Sequence, residues 1–172
     1  MPSRAVDPEG VEWRRLSPRY LTLRLVSGAI GTAVWTSIAC LPLGARSIGF
    51  GLFAALPWWF VLALPAAVAA LNLVLLALTP RRVRAMGYAE RADDLLVRSG
   101  LLVRRVSVVP YGRMQYVDVT VGPIEGALGL ATVRLHTAAA ATQAAIPGLP
   151  EAEAARLREQ LSARGEARLA GL

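Results

Sequence analysis

Residues 26–45 and 47–80 contain no charged side chain, and only Arg46 separates them. A helix rises 1.5 Å per residue, so about 20 apolar residues cross the hydrocarbon core of a bilayer. Each stretch is long enough, and the pair reads as a transmembrane hairpin with spans at about 21–43 and 51–79. The rest of the chain agrees: charged residues make up 18% and hydrophobic ones 55%, where soluble domains carry about 25% charge. The first apolar run begins after about 25 residues and three acids, late for a cleaved secretory signal. Ser37 stands where a lipoprotein cleavage box before Cys40 would want a leucine-like residue, so the segment is read as a retained span.

Orientation follows from arginine. Arg14, Arg15, Arg19 and Arg24 precede or open the first span, and Arg81, Arg82 and Arg84 follow the second. Arg46 alone marks the connecting loop. Positive charge accumulates on the cytoplasmic side, which predicts both termini there. Arg24 sits one turn inside the first span and can snorkel to the interface. All nineteen basic residues are arginine and the formal net charge is +7. Membrane flanks account for this excess, so nucleic acid is not expected as a partner. Gly28 and Gly31, with Ala29, Ala33 and Ser37, give the first span a small-residue face for close helix contact. Pro57 and Pro65 are expected to kink the second span. Trp58 and Trp59 suit an interfacial belt, as do Trp13 and Tyr20 in the lead. Asn72 is expected to hydrogen-bond a neighbouring helix. No Asp, Glu, Lys or His falls mid-membrane, so an ion or proton relay lacks its usual parts.

After Arg84 the pattern turns to strands. Leu95–Arg98 lies between turns at Asp93-Asp94 and Ser99-Gly100. Leu101–Val109 is rich in Val and Leu. Val117, Val119 and Val121 alternate, as do Ala131, Val133 and Leu135; period two marks a half-buried strand. Gly122-Pro123 and Gly126–Gly129 break the chain between them. Thr142–Ile146 is a last short strand, and Pro147, Gly148 and Pro150 are read as its end. Residues 151–164 then form a helix, with Glu151 and Glu153 in the first turn. Its apolar face is Ala154, Leu157 and Leu161, expected to close the open side of the sheet. The division is a cytoplasmic lead (1–20), a hairpin (21–79) and a cytoplasmic β domain (80–169), of which 84–169 is expected to be autonomous.

The order of short motifs carries a resemblance. Pro80-Arg81-Arg82 follows two spans, then come Asp93-Asp94-Leu95, Ser99-Gly100-Leu101-Leu102, and Val109-Pro110-Tyr111-Gly112-Arg113-Met114-Gln115-Tyr116-Val117. Gly122-Pro123-Ile124, Gly129-Leu130-Ala131-Thr132-Val133, His136-Thr137-Ala138 and Ile146-Pro147-Gly148-Leu149 complete it. From about Trp13 to Leu161 the chain resembles the bacterial pleckstrin-homology-like (PH-like) membrane proteins of the YdbS type. The resemblance implies an α+β membrane protein: a two-helix transmembrane hairpin followed by a small PH-like antiparallel β domain, capped by a C-terminal helix. It also implies a non-catalytic multi-pass module of the bacterial cell membrane, often paired with a larger membrane protein bearing related PH-like domains. Such relatives often have glycines where this chain has Ala138–Ala141. The family brings no established ligand residues.

The chemistry of catalysis is sparse. His136 is the sole histidine, expected on a solvent-facing strand position, and Cys40 the sole cysteine. No metal set, phosphate loop or cofactor site is expected. One cluster stands out: Arg98, Arg104, Arg105 and Arg113 fall between Leu95 and Val117 with no acid among them. They are candidate contacts for anionic lipid or an acidic partner, with Arg24, Arg46, Arg81, Arg82 and Arg84 flanking the membrane. On a regular strand, Arg104 and Arg105 would point to opposite faces. The expected function is a membrane-anchored binding or scaffold module. The alternative is an accessory subunit of a membrane complex or transporter that acts mainly through its spans.

Overall fold

The computed structural model describes residues 10–49, 51, 56–137 and 144–170, with residues 169 and 170 as backbone only. The turn at Ala138–Ala141, Thr142 and part of the expected second span lie outside the described residues. The chain forms two compact units, residues 24–79 and residues 1–23 together with 80–172.

In the first unit, helix α1 (Pro18–Ala39, entering from the second unit) is followed by a short α2 (Leu41–Ser47) and a long α3 (Trp58–Arg84). Both long helices are long and apolar enough to cross a membrane. The first was expected to continue to residue 43. It breaks at Cys40, because Pro42 has no amide hydrogen to give the preceding turn. Pro57 does not kink the second helix but immediately precedes it, its carbonyl accepting from the amides of Phe60 and Val61. Trp35, Trp58 and Trp59 are exposed on the helices. The small-residue face is used at one point: a Cβ on Gly28 would stand 2.8 Å from Leu76 Cδ1, whereas Gly31 has open space around it. Asn72 departs from expectation. Its amide donates to the Val68 carbonyl of its own helix at 2.8 Å rather than to a neighbouring helix among the described residues.

The second unit contains two antiparallel sheets. One has four strands in the order β1 (Arg14–Arg15), β2 (Gly87–Glu90), β3 (Asp94–Ser99), β4 (Arg105–Pro110). The other has three: β5 (Met114–Thr120), β6 (Leu130–Thr137), β7 (Ala144–Pro150). A 3-10 turn (Tyr111–Arg113) joins β4 to β5, and a short helix α4 (Pro123–Ala127) joins β5 to β6. Helix α5 (Glu151–Ala170) closes the domain. Its expected apolar face is confirmed: Ala154, Leu157 and Leu161 are buried in one core with Leu95, Val109, Leu130, Val133, Leu135 and Ile146. Val117 and Val119 pack on that core, while Val121 is exposed.

The N-terminal lead is part of this domain rather than a separate segment. Arg14 pairs with Tyr88 and Arg15 with Gly87. Leu16, Tyr20 and Leu23 are in the core, so Tyr20 is not an interfacial anchor. Ser17 caps α1 with its hydroxyl, accepting from the Arg19 amide at 3.3 Å, and Pro18 takes the first helical position, where no amide is needed. The compact unit built on the two sheets therefore includes this segment as well as the strands after residue 84. The whole helical hairpin is an insertion between two neighbouring strands of a sheet.

Strand β7 also runs further than expected, through Pro147 and Gly148 to Pro150. It is an edge strand, where proline is tolerated, and its register slips between the partners of Ala131 and Val133. Gly148 has φ +69°, and a Cβ there would lie 2.2 Å from the Tyr20 ring. Its carbonyl accepts from the Ser17 amide at 3.2 Å. The irregularity is the seat on which the lead lies.

Candidate functional site

Strand register defines the two ends of the four-stranded sheet. Gly87 lies opposite Arg98, and Ser99 opposite Arg105. The β3–β4 loop (residues 100–104) therefore leaves the sheet at the end where the chain departs for α1 after Arg15 and returns from α3 before Gly87. Residues 101–103 are bends rather than the start of a strand. Gly100 makes this possible, with φ +96° and the Val103 carbonyl oxygen only 2.0 Å from where a Cβ would be. At the tip, Leu102 is 94% exposed and Val103 78%. Arg104 precedes β4 and Arg105 begins it, and both are exposed.

The predicted arginines divide accordingly. Arg104 and Arg105 share the tip. Arg98 is at the same end but half-buried, its guanidinium 4.6 Å from the Trp13 ring centroid. This cation–π contact holds the lead against β3. Arg113 does not join them. It lies past Pro110, which pairs with Asp94 at the opposite end of the sheet, about a strand length away at 3.3 Å per residue. Arg81, Arg82 and Arg84 are exposed in the last turn of α3, where the helix dipole favours cations. Arg24 is exposed on α1. Arg46 donates to the Leu56 carbonyl.

Beneath the loop end lies a small, mostly apolar cavity of about 150 Å³, lined by Leu16, Met86, Gly87, Val97, Arg98, Ser99, Ala145, Ile146 and Pro147. An ion network ties the lead to α5. Arg156 reaches Glu90 at 2.7 Å and Glu153 at 2.6 Å. Arg14 reaches Glu153 at 3.1 Å and Glu90 at 3.6 Å. The Tyr88 hydroxyl donates to Glu153 at 2.9 Å. The hydrogen bond from Arg156, opposed in part by burial, holds the Glu153 carboxyl down at about 2. Burial and the bond to Glu153 push the Tyr88 phenol up to about 12. Tyr111 is fully buried, donates to the Arg91 carbonyl and accepts from Arg164; burial raises its pKa. Glu153 and Tyr88 bond to each other, and Tyr111 bonds to Arg91 and Arg164; none of the three lines the cavity below the loop. His136 is half-buried and stacks on Tyr116, with centroids 4.2 Å apart and planes at 11°.

The sequence reading missed the apolar tip and the sheet-forming lead. The Ser99-Gly100 pair was the available signal for the first; the second had none beyond the aromatic residues.

Comparison with known proteins gives a concordant result. The model of the family described as "Bacterial PH domain" matches residues 25–165. The chain is 34% identical over 107 residues to the UPF0699 transmembrane protein YdbS of Bacillus subtilis (strain 168), covering 62% of this chain and 66% of that protein. The match thus spans just under two thirds of the relative's length. No solved structure matches the chain. The family match runs across hairpin and sheets alike, and the chain is accordingly a member of the bacterial PH domain family.

Proposed function

We propose that this membrane protein is a non-catalytic binding or scaffold module that presents its PH-like domain at the cytoplasmic face, within a complex containing a larger membrane protein with related domains. The observation that carries this reading is the insertion of the hairpin between β1 and β2. Both connections of the hairpin run into neighbouring strands of one sheet, which supports a domain tied to its anchor at two points. The pairing of β1 with β2 also supports both ends of the hairpin lying on one side, in agreement with the arginine distribution. The use of the perturbed groups for internal ion pairs and hydrogen bonds supports a structural domain over an enzyme.

A second reading, an accessory subunit acting through its spans, is favoured by Gly31, which has open space around it. One test checks the orientation and a second separates the two readings. Arg46→Cys in a Cys40→Ala background should react with an impermeant thiol reagent in intact cells; protection there with labelling at Ser162→Cys would overturn the orientation. A photo-crosslinking residue at exposed Val108 or Tyr116 should capture a membrane partner in native membranes. Capture only from Trp35 or Leu71 would favour the accessory reading.

A further inference from the structure

The β3–β4 loop carries the two most exposed large apolar side chains among those described, Leu102 and Val103, in an otherwise well-packed domain. Adjacent apolar side chains at a loop tip are disfavoured in water unless something covers them. Two observations indicate what covers these. The tip is followed directly by exposed Arg104 and Arg105, with no acidic residue between Leu95 and Val117. The register also sends the loop out from the end of the sheet that receives both connections to the helices, so only Ala85 and Met86 separate α3 from β2 at that end. An apolar tip with guanidinium groups at its base matches the layering of a bilayer surface. Apolar side chains enter the headgroup and acyl boundary, while arginines meet phosphates and anionic headgroups.

We propose that the β3–β4 loop is a second membrane contact: Leu102 and Val103 insert shallowly into an anionic bilayer surface, and Arg104 and Arg105 bind its headgroups. This contact rests on the membrane anchoring of the chain and not on a protein partner. It fixes how the domain is turned on the surface, where the hairpin fixes only that it is near. Arg98 is excluded from the headgroup set because its guanidinium is occupied by Trp13, and Arg113 because it lies at the far end of the sheet.

The test uses the full chain with Cys40→Ala, reconstituted into vesicles of phosphatidylcholine alone or mixed with phosphatidylglycerol. An environment-sensitive fluorophore is attached at Leu102→Cys and, as a control, at Gln115→Cys next to the opposite end of the sheet. In the anionic vesicles, the Leu102 probe should shift to the blue and lose emission to lipids carrying a nitroxide high on the acyl chain. Gln115 should report water in both vesicles. Adding Arg104→Glu and Arg105→Glu should return the Leu102 probe toward the aqueous spectrum, and raised salt should do so in part. An aqueous spectrum without quenching at Leu102 in anionic vesicles would overturn the proposal. Shielding of Leu102 in native membranes but not in lipid vesicles would also overturn it, and would assign the tip to a protein. The crosslinking and topology tests above do not depend on this loop, so the two readings can fail separately.

Discussion

Gly148→Ala should loosen the whole domain by dislodging a residue nearly 130 positions away in the chain. The new methyl would sit 2.2 Å from the ring of Tyr20, on backbone at φ +69°. Left-handed backbone costs a non-glycine residue about 1–2 kcal/mol, and overfilling a packed site adds about 1–3 kcal/mol. The expected loss is therefore about 2–5 kcal/mol, a large part of the total for a domain stable by about 5–15 kcal/mol. Tyr20→Ala alone should cost about 3–5 kcal/mol, as for other buried aromatics. The informative case is the double variant. Removing the ring removes the contacts at Cγ and Cδ2 but leaves the Cβ of residue 20 at 2.4 Å from the new methyl, so the combined loss should fall short of the sum by about 0.5–1.5 kcal/mol, leaving the backbone strain and the Cβ contact in place. Hydrogen exchange of the β6 amides in detergent-solubilised full chain reads this directly. Gly148→Ala should accelerate exchange by between about one and a half and three and a half orders of magnitude, at about tenfold per 1.4 kcal/mol. Strict additivity of the two changes would refute the idea that Tyr20 is seated on Gly148.

Acid should weaken the ion network. The folded Glu153 carboxyl titrates at about 2 against 4.5 for the free side chain, so its contribution is complete above about pH 4.5 and disappears as pH falls toward 2. With Arg14 more than half exposed, solvent screening reduces this to about 1–2 kcal/mol. The drop in urea midpoint between pH 6 and pH 3 should shrink in Glu153→Gln, and an undiminished drop would count against the network. In the hairpin, Gly28→Leu should lower the melting temperature of the helices by circular dichroism, since Leu76 is in the way, while Gly31→Leu should leave it unchanged. Equal effects would refute the asymmetry.

The legible parts of this fold were those with a long physical period. Uncharged runs announced both helices, alternation announced β5 and β6, and the spacing of Ala154, Leu157 and Leu161 announced the buried face of α5. The illegible parts are explained by contacts distant in sequence. A strand of two residues, Arg14–Arg15, has no period to detect, and it precedes residue 25, where the family match begins. The prolines and glycine of β7 looked like a stop because their reason, the crossing of Ser17 and Tyr20, lies at the other end of the chain. Leu101–Val103 looked like strand because their composition favours it; the conformation of Gly100 and the pairing of Ser99 with Arg105 make them a loop. The grouping of Arg98, Arg104 and Arg105 apart from Arg113 likewise depended on register, which spacing alone does not reveal.

Placing a hairpin inside a sheet also orders biosynthesis. β1 leaves the ribosome before both long helices, its partner β2 only after them, and Glu153, to which Arg14 bonds, lies 139 residues further along. In solution, closing so long a loop would be slow, because chain entropy is lost before any contact forms. Inserting the two helices as a pair brings Arg15 and Gly87 back together beforehand, converting a distant pairing into a local one. A chain with only one helix across the bilayer would strand β1 and β2 on opposite sides with bare edges. Completion of the sheet is thus a built-in check on correct insertion.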